Sequence, residues 1–153
     1  MKLVGKRGLS GLVEIALYAL MVVAFGLTIT LPWSVAAVTH HQPGGAGWWY
    51  EKYLAVLLVS GVLSECILWQ ARGLMHNVNT GKAFSRNTVR RLRTIGWFCL
   101  ALALFYFVAV FIVTRFFMVV VFVAFSVVGT ILFVFAELFL QAVRYKEEND
   151  MTI

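Results

Sequence analysis

Three carboxylates lie inside or at the edge of long apolar stretches: Glu14, Glu65 and Glu137. An ionisable group within a membrane span costs roughly 2.5–3.5 kcal/mol on insertion scales, so it faces protein or water rather than lipid. In that setting a carboxylate binds a cation, relays protons or holds a partner. The structural alternative is that it pairs with a neighbouring helix and fixes packing and register. Glu65 carries Trp69 at i+4 and Arg72 at i+7 on one helical face. Arg72 either meets Glu65 or snorkels to the nearer interface. Glu137, Gln141 and Arg144 repeat the same spacing. The candidate intramembrane polar site is therefore Glu14, Glu65, Arg72, Glu137 and Gln141.

A second group is basic: Lys82, Arg86, Arg90, Arg91 and Arg93. Arg86, Arg90 and Arg93 fall at i, i+4 and i+7, hence on one face. Such a cluster anchors a helix among anionic lipid headgroups, or receives an acidic cytoplasmic protein.

Other residue types offer less. His40-His41 lacks the i, i+4 spacing of a helical metal site, and no nearby Cys or Asp completes four ligands. Cys66 and Cys99 form no Cys-x-x-Cys or Cys/His pattern and read as buried small hydrophobes rather than a disulfide framework. No Gly-x-Ser-x-Gly, phosphate-binding loop or zincin motif is present. Neither an enzyme, nor a cofactor, nor a metal site is expected.

These residues must be positioned by elements suited to lipid. The chain has 153 residues, 61% hydrophobic and only 13% charged. A soluble domain of that size needs far more polar cover, so the expectation is one integral membrane domain with no second folded unit. Four apolar runs read as spans at about 12–38, 53–74, 95–113 and 116–143. The first is longer than a signal-peptide core of roughly 7–15 residues, although Ser34-Val35-Ala36 resembles a cleavage site. An uncleaved first helix is the better reading, with Pro32 bending its last turns. His40–Lys52 reads as a loop, because its glycines and proline disfavour a regular element. Trp33, Trp48, Trp49, Tyr50 and Tyr53 form an interface belt. Residues 75–94 read as a basic polar segment, with Ser85 as N-cap of a helix beginning near Arg86. Thr114-Arg115 makes a minimal turn. The fourth run overshoots a ~30 Å hydrocarbon layer and should carry Glu137, Gln141 and Arg144 to an interface. Glu65, about 18 Å beyond Tyr53 along its helix, is the deepest acid. The repeated Glu-x6-Arg, with Gly5-Lys6 and Gly81-Lys82 ahead of the first and third helices, points to two related helical hairpins. The fold expected is an all-α up-down bundle of four transmembrane helices.

Charge sets the orientation. Of thirteen Lys and Arg residues, Lys52 and Arg115 fall on one side of the four spans and the other eleven on the opposite side. The positive-inside rule places both termini, the 75–94 segment and the 144–153 tail in the cytoplasm. The net charge of +6 thus reflects membrane anchoring, and direct nucleic-acid binding is not expected.

Gly81-Lys82-Ala83-Phe84-Ser85-Arg86-Asn87, followed by Arg91-Leu92-Arg93-Thr94-Ile95-Gly96, resembles the central signature of an uncharacterised bacterial membrane family, domain of unknown function 2975. The ending Glu147-Glu148-Asn149-Asp150-Met151-Thr152-Ile153 resembles that family's terminus, with Met151 where leucine is usual. The resemblance implies four spans in a bacterial inner membrane and brings no established activity. Family members occur beside small helix-turn-helix regulators of the Xre type, which implies a membrane partner that holds or releases a regulator. The leading expectation is a regulatory or interaction protein presenting its cytoplasmic loop and tail to a soluble partner. The alternative is a small transporter or immunity-type protein using a Glu65-centred site. Transport would require a homo-oligomer, since four helices make a thin pathway.

Overall fold

The computed structural model describes residues 9–39, 46–113 and 116–150. They form α1 (Leu9–Thr39), α2 (Ala46–Asn79), α3 (Arg86–Val113) and α4 (Phe116–Asp150), with no strand among the described residues. Gly5-Lys6, His40-His41 and the rest of 40–45, the Thr114-Arg115 turn and residues 151–153 lie outside them. So do the side chains of Trp48 and Trp49. Each helix is long and apolar enough to cross a membrane. Phe111 and Phe116 are 72% and 83% exposed among many large apolar side chains on the helix surfaces, an exterior suited to lipid. The protein is an all-α, multi-pass membrane protein.

Register shows the up-down order. Glu14 near the start of α1 meets Asn79 at the end of α2, and Thr28 lies against Gly61. Arg91 of α3 bonds Gln70 of α2. Arg86 at the start of α3 meets Glu147 near the end of α4, and Gly96 lies against Phe133. Packing is between sequence neighbours: α3 on α4 most extensively, then α1 on α2, then α2 on α3, with no close backbone approach between other pairs among the described residues. The bundle is thus two helical hairpins joined through α2 and α3. The spine is α3. Its Leu102, Tyr106 and Ala109 meet Val56 of α2 and Met118 of α4, and its Val89 and Leu92 meet Ala136 and Val143 of α4. Among the described residues, α1 supplies none to either cluster.

The helices are longer than hydropathy indicates. α2 begins at Ala46, inside the segment expected to be a loop, and ends at Asn79 rather than near Leu74. Pro43-Gly44-Gly45 precedes this helix rather than interrupting it. Gly47 costs only about 1 kcal/mol in a helix, and a continuous helix keeps its backbone groups bonded where water is scarce. α1 likewise continues through Pro32 to Thr39. The polar segment expected over 75–94 is therefore mostly helix, and the true connection is 80–85.

That connection has a stop and a start. Gly81 adopts φ +74°, the left-handed conformation that favours glycine. Its N–H donates to Val78 O at 3.1 Å and Lys82 N–H donates to Asn77 O at 2.9 Å, the Schellman pattern that closes a helix. Ser85 then caps α3: its Oγ accepts from Thr88 N–H at 3.3 Å and its carbonyl accepts from Val89 N–H. The buried Thr88 hydroxyl donates back to Lys82 O at 3.2 Å. Phe84 stacks on Phe139 of α4 with centroids 5.6 Å apart. The Gly81–Asn87 motif is thus a tight interhelical joint docked on the second hairpin.

Candidate functional site

The five residues expected to form one intramembrane site separate into two adjoining grooves and the exposed face of α4. Glu14 and Arg72 share a groove of about 250 Å³ with Trp69, Gly73, His76 and Arg91. Glu65 lies one to two turns deeper along α2, in an adjoining groove of about 290 Å³ with Met21, Cys66, Trp69, Gln70 and Phe98. The two grooves share Trp69. Both run over α2 between α1 and α3, which do not approach each other closely. Glu137 and Gln141 are elsewhere, on exposed turns of α4.

The Glu65–Arg72 pair does not form. Seven residues of helix separate the two Cα atoms by roughly 10 Å along the axis. Arg72 instead lies against two aromatic rings. Its guanidinium lies 5.0 Å from the Tyr18 ring centroid of α1 and 6.0 Å from that of Trp69, and each ring face attracts the cation. Glu65 Oε1 is buried with no hydrogen-bond partner among the described residues.

Glu14 is engaged at the groove rim. Asn79 Nδ2 donates to one of its oxygens, and His76 Nδ1 lies 3.3 Å from the other. This contact ties the start of α1 to the end of α2. Opposite it, Arg91 Nη1 donates to Gln70 Oε1 at 3.1 Å, while Arg91 Nε is buried without an acceptor among the described residues. The guanidinium fits there because residue 73 is glycine: a Cβ at that position would run into Arg91.

The basic residues divide in the same way. Arg86 grips Glu147 through two parallel bonds, Nε to Oε1 at 3.0 Å and Nη2 to Oε2 at 2.8 Å. Arg93 Nη2 donates to Glu137 Oε2 at 2.9 Å. Two members of the expected basic face thus meet acids of α4, and Glu137 takes Arg93 rather than Arg144. Arg90 is exposed and makes no ion pair among the described residues. With Arg86, Arg93, Thr94, Trp97 and Leu140 it lines a shallow groove along α3. Lys82 is also exposed. Cys66 and Cys99 are free thiols, with Cys99 fully buried in the α3 interface.

Sequence reasoning missed Gln70, Gly73, His76, Asn79 and Tyr18. One signal was available: Arg72, His76 and Asn79 recur at i, i+4 and i+7, a polar stripe on the last turns of α2.

No curated protein and no solved structure matches the chain. A family model does match, over residues 14–153, with the description "Protein of unknown function (DUF2975)". The matched span takes in the groove from Glu14 onward, the Gly81–Asn87 joint and both α3–α4 ion pairs. The chain belongs to the DUF2975 family.

Proposed function

We propose that the chain is a non-enzymatic bacterial inner-membrane protein that presents a rigid helical end to a soluble cytoplasmic partner, such as a helix-turn-helix regulator. The observation that supports this reading is the ion-paired end of the α3–α4 hairpin. α4 has 35 residues, about 52 Å of helix, against a hydrocarbon layer of ~30 Å. The surplus lies at the end carrying Glu147 and Tyr145, where Arg86 and Arg93 hold α4 against α3. Eleven of the thirteen basic residues fall on this side, which favours the cytoplasm by the positive-inside rule. Internal pairing of Arg86 and Arg93 narrows the partner-facing cations to Arg90 and Lys82. Crosslinking pull-down of the full chain tests the reading. Lys82→Glu with Arg90→Glu should lose a specific cytoplasmic partner that the wild type captures. An unchanged partner set sinks the proposal.

A second reading is favoured by one observation. Glu65 Oε1 is buried in a groove and unpartnered among the described residues, the arrangement of a cation- or proton-handling group in a small transporter or immunity-type protein. Glu65→Gln should then abolish a measurable cation flux or protective phenotype at unchanged protein level. Retention of that readout counts against it.

A further inference from the structure

We infer that the groove between α1 and α3 binds the phosphate group of an amphiphile, with Arg72 and Arg91 as its recognition pair. Both guanidinium groups line the same groove, together with His76. Neither makes an ion pair with a carboxylate among the described residues. This distinguishes them from Arg86 and Arg93, which carry carboxylates on α4. The one carboxylate in the groove, Glu14, is turned to Asn79 and His76.

Both arginines are oriented before any ligand arrives. Arg72 is held against Tyr18 and Trp69 by its cationic face. Arg91 is held by Gln70 through Nη1 and seated over Gly73, with Nε buried and lacking an acceptor among the described residues. A planar guanidinium that lines the groove, with one N–H held by Gln70, suits a phosphate oxygen, which accepts charge-assisted bonds from several donors at once.

The groove's position and its extension name the ligand class. Arg72 lies about 33 Å along α2 from Tyr50, near the polar boundary of a ~30 Å layer. Below it the second groove continues along Met21, Cys66, Trp69 and Phe98, with Gln70 and Glu65 also lining it. A headgroup phosphate on the arginines would place an acyl chain against those side chains. At about 250 Å³ and 290 Å³ the two grooves each fall below the ~300–1,000 Å³ of drug-sized pockets, and suit a headgroup and one chain.

The test uses the purified full chain in detergent and native mass spectrometry. The probes are an anionic glycerophospholipid and inorganic phosphate. Wild type should retain one lipid, and Arg72→Gln with Arg91→Gln should weaken retention by about tenfold or more. Arg90→Gln, which removes a charge outside the groove, should change it little. Displacement of the lipid by inorganic phosphate alone would assign the site to free phosphate. No displacement with retained lipid assigns it to the headgroup. Equal lipid retention by wild type and the double variant overturns the inference, as does an equal loss in Arg90→Gln. A photoactivatable phospholipid crosslinked to the wild type gives a readout independent of variant folding. Label on residues 69–76 or Arg91 supports the site, and label confined to other segments overturns it.

Discussion

Arg91 of α3 occupies the space that a side chain at residue 73 of α2 would need. Gly73 is therefore the seat on which an arginine crosses from one hairpin to the other. Replacing it forces Arg91 to give way, because the clashing group is the end of a flexible chain. Gly73→Ala should cost the Arg91–Gln70 bond, about 0.5–1.5 kcal/mol, offset in part by alanine's better helix propensity. Adding Arg91→Ala should remove most of that penalty, so the two substitutions are non-additive. Thermal unfolding of the four proteins in one detergent checks this. Strict additivity would mean that Arg91 does not rest on Gly73.

Gly81 has a different reason to be glycine. Its φ of +74° closes α2, and a Cβ there meets no neighbour among the described residues, so the cost of substitution is conformational rather than steric. Gly81→Ala should destabilise the joint by about 1 kcal/mol, with Gly81→Asn milder. Hydrogen exchange at the amides of residues 80–82 should speed up in the alanine variant first, since those amides close the helix.

The joint also shows what could be read in advance. Ser85 is a cap by residue type alone, and Arg86 begins the helix that it caps. The four apolar runs and the overshoot of α4 follow from length and hydropathy. Partner choice does not. In lipid the outer face of a helix is as apolar as its packed face, so periodicity cannot say which side of α1 meets α2. The pairs Arg93–Glu137 and Arg86–Glu147 depend on the α3–α4 register, set by contacts such as Gly96 on Phe133. The Glu65–Arg72 spacing was real as a pattern and empty as a contact, since Tyr18 on another helix draws the cation away.

The Arg86–Glu147 fork should clamp the end of α4. Glu147→Gln removes the charge while keeping the size, so exchange at residues 145–149 should accelerate by about two- to fivefold, with less effect in high salt. The exchanged pair Arg86→Glu with Glu147→Arg should restore part of the protection. A protection pattern indifferent to both would show that the clamp is not needed there.

Orientation is open to direct measurement. Single cysteines at Glu51 and Lys146, in a chain with Cys66 and Cys99 replaced by alanine, lie toward opposite ends of the bundle. An impermeant thiol reagent should label position 51 in intact cells and position 146 only after permeabilisation. The reverse pattern would invert the topology and move the ion-paired end outside.

Glu65 separates a structural from a functional role through the sign of a stability change. A carboxylate that fixes helix packing needs partners, and its removal weakens the fold. Glu65 Oε1 has none among the described residues. A buried polar atom left unpaired costs roughly 1–3 kcal/mol, so Glu65→Leu should raise the thermal midpoint rather than lower it. Met21, Trp69 and Phe98 already line the groove and would accept the leucine methyls. Gain of stability at the expense of a cellular phenotype would mark Glu65 as a group retained for use. A fall in stability would return it to the packing role. Gln70, one turn along and bonded to Arg91, serves as the reference: Gln70→Leu removes a made bond and should be destabilising.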